Sequence, residues 1–167
     1  MILVVGTPNS GKSAYAESLL MDEYGDEAKA YIATMEPYGE EGQLRIKRHR
    51  QLRSGKNFVT FEQPRQLCQL TDVMKESEIR AGLLECVSNL VGNEMYCNDN
   101  ADMSDDELCN LICDQIIRLD KALEQLYVVT NVFDMDESFD DETRRYVMLT
   151  DMVNDTLAKA AHTVYRM

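Results

Sequence analysis

Apolar runs of four or five residues alternate with longer stretches of helical periodicity along the chain. That alternation predicts an α/β fold, a mostly parallel central sheet joined and flanked by crossover helices. Ile2–Val5, Ala30–Ala33, Phe58–Phe61, Gly82–Cys86 and Leu126–Thr130 read as strands, with a stub at Thr163–Tyr165. Each is too short to be a helix and is bounded by polar or turn-forming residues. Helices are expected over about Gly11–Tyr24, Glu41–Arg53, Ser88–Tyr96 and Glu142–His162, with a long one opening after Ser104. Glu107 stands three residues past Ser104, the spacing of a capping box, and Leu108, Ile112, Ile116, Leu119 and Leu123 form that helix's apolar stripe. Pro64 is expected in the first turn of a further helix. A loop through Pro37 and Gly39 and a polar loop at 97–104 complete the pattern. No repeat or linker interrupts it, so residues 1–167 are expected to form a single domain.

Composition narrows the class. With 44% hydrophobic and 28% charged residues, the chain is an ordinary globular one. No apolar run approaches the ~18–20 residues that cross a bilayer, and the opening MILVVG lacks the basic start of a signal peptide. Neither a membrane partner nor export is therefore expected. The five cysteines are odd in number and lack a C-x-x-C pair, as suits free thiols in a reducing cytoplasm. Cys109 and Cys113 share a helical face, where core packing outweighs metal binding for want of further ligands.

A net charge of −13 argues against nucleic acid as a partner, because phosphate contacts need clustered Lys and Arg. The charge is nevertheless uneven. Residues 97–142 carry 14 acidic residues against Arg118 and Lys121, whereas residues 43–56 carry Arg45, Lys47, Arg48, Arg50, Arg53 and Lys56 with no acid. Such a basic island in an acidic chain is either a solvated helix face or a local site for a polyanion.

The strongest chemical signal follows the first strand. Gly6–Ser13, GTPNSGKS, fits G-x-x-x-x-G-K-[ST] between a strand and a helix, as a phosphate-binding loop requires. Backbone N–H groups of such a loop cradle phosphate oxygens, the lysine (here Lys12) charges the outer phosphates, and the hydroxyl (Ser13) can ligate Mg²⁺. Glu85, closing an apolar strand, is the candidate acid near that metal. His49 lies within RIKRHRQLR, and on a helix Glu41, Arg45, His49 and Arg53 share i, i+4 spacing. An imidazole there is either an exposed helix residue or a nucleophile able to carry a nucleotide as a phosphoramidate. His162 is expected to meet the dipole of the last helix or to lie on the surface.

In the order GTPNSGKS, YIAT (31–34), RIKRHR (45–50), LLEC (83–86) and VVTN (128–131), the chain resembles the bifunctional adenosylcobinamide kinase/adenosylcobinamide-phosphate guanylyltransferases of cobalamin assembly. The likeness is nearly end to end and weakens after Asn131, where an acidic segment without Gly or Pro replaces the family's glycine-rich loop. Asn9 stands where the family usually has arginine. The resemblance implies a P-loop α/β domain that assembles as a homo-trimer. It implies phosphorylation of the adenosylcobinamide hydroxyl, then transfer of GMP from GTP through a guanylylated histidine, which falls on His49. It puts nucleotide contacts on Gly6, Thr7, Pro8, Asn9, Ser10, Gly11, Lys12 and Ser13, on Ala33, Thr34 and Met35, on Arg50, Gln51, Leu52 and Arg53, and on Glu62 and Glu85. Lys12 joins His49 as a catalytic candidate, Ser13 and Glu85 are candidate Mg²⁺ ligands, and GTP or ATP is the phosphoryl donor. A plain P-loop small-molecule kinase and a GTP-binding relative with altered catalysis are the alternatives.

Overall fold

A computed structural model describes residues 1–36 and 38–167, apart from the side chains of Arg45 and His49. Six strands form one sheet in the order β3-β2-β4-β5-β1-β6, every neighbouring pair parallel. They are β1 (Ile2–Gly6), β2 (Lys29–Ala33), β3 (Phe58–Glu62), β4 (Ala81–Glu85), β5 (Gln125–Asn131) and β6 (Thr163–Arg166). The helices are α1 (Lys12–Tyr24), α2 (Gly39–Leu52), α3 (Gln69–Glu76), α4 (Val87–Met95), α5 (Asp105–Lys121) and α6 (Asp141–Ala160).

Period-2 alternation divides each central strand between two cores. Leu3, Val5, Ile32, Leu84 and Val128 meet α3, α4, α5 and α6 on one face through Leu70, Leu90, Ile112, Ile116 and Val153. Val4, Tyr31, Leu83, Tyr127 and Val129 meet α1 on the other through Ala16, Leu20 and Tyr24. Strands covered on both faces are near-continuously apolar, which is why the short runs stood out in the sequence. The Ser104 capping box forms as expected, and the stripe from Leu108 to Leu123 is buried, its last member just beyond the helix end. Cys109 and Cys113 pack into the first core as free thiols, and burial pushes Cys113 up to about 12.

Some elements differ from expectation. Pro64 belongs to a loop, because α3 begins only at Gln69 and Gln66 adopts a left-handed φ of 55° that no α-helix admits. That loop is held from outside: Asn93 Nδ2 donates to the Pro64 carbonyl, and the Gln66 N–H donates to Glu94 Oε1 at 3.0 Å. Glu94, 2% exposed, also accepts from Gln115 and from Asn100. Asn100 sits in a short 3₁₀ turn, Asn98–Asn100, so residues 97–104 are not wholly irregular. His162 is exposed beyond α6, the surface alternative of its expectation, and its Nδ1 meets the Met1 amino group at 3.0 Å. The connection through Pro37 falls on a position outside the described residues. No helix among the described residues is long and apolar enough to cross a membrane.

Candidate nucleotide site

In an open parallel sheet, ligands bind beyond the carboxyl ends of the strands. At that edge β1 runs into the glycine loop, β2 into Thr34 and Met35, and β4 into Cys86. Gly11 takes φ 86°, which glycine adopts without cost and which turns the chain into α1. A Cβ on Gly6 would lie 2.5 Å from Ser10 Oγ and 3.2 Å from the Met167 carbonyl oxygen, so any larger residue there would force the Ser10 side chain to move.

Lys12, 6% exposed, reaches back across the loop, and its Nζ donates to the Thr7 carbonyl at 2.9 Å. Burial lowers its pKa, opposed in part by the nearby Glu85 charge. Ser10 Oγ is buried without a hydrogen-bond partner among the described residues. Ser13 Oγ donates to Glu85 Oε1 at 2.5 Å, and Tyr31 OH donates to Glu85 Oε2 at 2.7 Å. Both oxygens of the carboxylate that closes β4 are thus engaged, one by the phosphate loop. Burial and the adjacent Glu85 charge keep the Tyr31 phenol protonated well above the usual tyrosine range.

Thr34 is turned inward: its Oγ1 donates to the Cys86 carbonyl at 2.7 Å and accepts from the Cys86 N–H at 2.8 Å. It therefore stitches the ends of β2 and β4 together, and its hydroxyl is already committed. Ala33 and Met35, on either side, line a cavity of about 270 Å³ together with Pro8 of the glycine loop. Arg50, Arg53, Glu62 and Glu85 close its other walls. Arg50 pairs with Glu62 across an exposed rim. Arg53, at the end of α2, is 7% exposed, with its guanidinium carbon 3.3 Å from the centroid of the Tyr31 ring. Its Nε is buried with no hydrogen-bond partner among the described residues. A cation buried with a free donor beside an anion-binding loop suits a ligand that carries negative charge.

Seven of the residues singled out in the sequence therefore line one cavity, although they come from five separate segments. Gln51 and Leu52 face solvent and do not line it, while Thr7 and Asn9 are exposed on the loop. His49 belongs to α2, but its side chain lies outside the described residues. Tyr31, Ser88, Asn131 and Tyr146 are cavity residues that sequence reasoning passed over. Tyr31 was legible in principle, since strand alternation puts it on the same face as Ala33, two residues along.

Ser13 Oγ and the Glu85 carboxylate are hard oxygen donors side by side at the phosphate loop, a donor set that fits Mg²⁺. No group of three or more His, Cys, Asp or Glu side chains among the described residues is placed to hold a metal. A cation here would rest on one or two protein oxygens plus phosphate, as Mg²⁺ usually does.

An all-parallel sheet with a glycine loop between β1 and α1, and a carboxylate at the tip of β4, defines a P-loop-type α/β fold. Over residues 2–167 the chain matches the family described as cobinamide kinase / cobinamide phosphate guanyltransferase, and it belongs to that family. It is accordingly an enzyme that transfers phosphorus-containing groups. It is 30% identical over 178 residues to the bifunctional adenosylcobalamin biosynthesis protein CobU of Escherichia coli (strain K12), covering 99% of this chain and 93% of that protein.

Proposed function

We propose that the chain binds GTP with Mg²⁺ at the Gly6–Ser13 loop and transfers GMP, through His49, to a phosphorylated cobinamide, after phosphorylating the cobinamide hydroxyl. The observation that carries the reading is the gathering of loop, carboxylate and buried arginine around one cavity: Pro8, Glu85 and Arg53 share it. Loop amides and Lys12 would hold the β- and γ-phosphates, and Ser13 with Glu85 would hold the cation. Bound there, Mg²⁺ would supply charge neutralisation on the phosphate oxygens. Arg53, and Arg50 once released from Glu62, would take up charge developing on the triphosphate.

In the transferase half-reaction an imidazole nitrogen of His49 attacks the α-phosphorus, a nitrogen–phosphorus bond forms, and the bond to the β-phosphate oxygen breaks. Pyrophosphate leaves with that electron pair. A phosphate oxygen of the acceptor then attacks the same phosphorus and returns the histidine free, so one hard displacement becomes two easier ones. Helix α2 supplies position 49 four residues before Arg53, which seats the helix's end at the cavity.

α-Labelled GTP tests the reading. The protein should acquire an acid-labile label, and His49→Asn should abolish it while nucleotide binding persists. Labelling unchanged in His49→Asn would remove the histidine from the mechanism. Phosphate passed from γ-labelled nucleotide to cobinamide without any α-label on the protein would reduce the activity to that of a plain kinase.

A further inference from the structure

Tyr31 touches both the carboxylate beside the phosphate loop and the arginine at the end of α2. It sits on β2 in register with Leu83 of β4, so Glu85 follows two residues later on the same face of the sheet. From there its hydroxyl reaches Glu85 Oε2, the carboxylate whose other oxygen accepts from Ser13 of the phosphate loop. Its ring meanwhile stands edge-on to Phe58, 6.2 Å between centroids, and carries the Arg53 guanidinium on its face. Arg53 is the residue that ends α2. A phenylalanine would fill the same volume beside Val4, Leu83 and Tyr127, yet would leave Glu85 Oε2 without its donor.

Resting on the nucleotide reading above, we infer that Tyr31 is a positioning residue that joins the cation end of the phosphate loop to the seat of helix α2. Its hydroxyl fixes the rotation of the Glu85 carboxylate, leaving Oε1 aimed at Ser13. A Ser13 hydroxyl that donates its proton to Glu85 keeps oxygen lone pairs free for a cation, so the orientation of Glu85 sets the geometry of the cation's ligands. The ring fixes Arg53 and through it the end of the helix that bears His49. Hydroxyl and ring thus do separable jobs.

Tyr31→Phe keeps the ring and removes the hydroxyl. Titration with a fluorescent GTP analogue should show affinity about tenfold weaker than wild type in Mg²⁺, the size of effect outer-shell partners have on bound metal. In EDTA the two proteins should bind alike. Amide exchange over residues 39–53 should be unchanged in this variant. Tyr31→Leu should weaken Mg²⁺-dependent binding in the same way and also speed exchange over 39–53, because Arg53 loses its aromatic seat. Arg53→Lys, with the Tyr31–Glu85 bond intact, should speed that exchange and leave the ratio of Mg²⁺ to EDTA affinity at its wild-type value. Equal affinities for wild type and Tyr31→Phe in Mg²⁺, or equal losses with and without Mg²⁺, would overturn the hydroxyl's role. Unaltered exchange over 39–53 in both Tyr31→Leu and Arg53→Lys would overturn the ring's role. Failure of the wild-type protein to bind the analogue at all would instead strike the nucleotide reading, while the exchange arms would still decide the anchoring of α2.

Discussion

Helices α1 and α2 flank the same cavity and are built in opposite ways. Helix α1 is sunk into the sheet: Lys12, Ala16, Leu20 and Tyr24 repeat every four residues as a buried stripe, and the loop at its start inherits that rigidity. Helix α2 has no buried residue among those described, and Leu44 and Leu52 stand 66% and 59% exposed. Its visible moorings are at the C-terminal end, where Arg53 lies on Tyr31 and Arg50 meets Glu62. An anion cradle must be ready-made, since its worth lies in amides and charges already aimed before the ligand arrives. A helix that bears such a group as His49 is in the proposed mechanism has different needs, and few packing contacts leave it free of the core's demands on shape.

Breaking the phosphate side should have the largest effect. On the proposed function, Lys12→Ala removes a buried ammonium from the glycine loop and should lower kcat/KM by about 10²–10³-fold, measured with GTP at saturating acceptor. Packing should sharpen the same contrast. Leu20→Ala should cost about 2–5 kcal/mol of stability in a denaturant melt, as buried leucines do. Leu44→Ser, on the exposed helix, should stay within about 0.5 kcal/mol of wild type in that experiment. Equal losses from the two would deny the difference between the helices. Arg53→Ala removes a stacked cation and should raise the KM for GTP about tenfold or more, from a contact worth about 1–2 kcal/mol when desolvated.

The smallest effect concerns pH. Burial lowers the Lys12 pKa, so the charged form is favoured only up to that lowered value and is lost as pH rises through it. Triphosphate affinity should therefore start to fall at a lower pH than an ordinary lysine would dictate. Lys12→Arg holds its charge throughout and should flatten that alkaline limb, if at lower overall affinity, in a series of binding titrations.

The phosphate loop was legible because its chemistry is local: eight consecutive residues between a strand and a helix carry both the glycines and the charge. Glu85 was legible because a carboxylate ending an apolar strand is out of place unless it faces something. Pro64 was misread because its neighbourhood is governed at long range. Asn93 and Glu94, nearly thirty residues away, hold that loop, and no local propensity reports them. Thr34, named from the resemblance as a nucleotide contact, has its hydroxyl bonded to the Cys86 backbone, which only the pairing of β2 with β4 explains.

The sequence by itself determined the alternation of strands and helices, the glycine turn between β1 and α1 and the family, because each rests on short-range pattern or on residues in a recognisable order. The tertiary structure alone decided that Arg53 lies over Tyr31, that Tyr31 and Ser13 share Glu85, and that Arg50 at the end of α2 meets Glu62. Those contacts join segments up to 72 residues apart through parallel strand pairing. Register converts such distances into neighbours, and the register of a parallel sheet is set by the packing of both its faces rather than by any one stretch of chain.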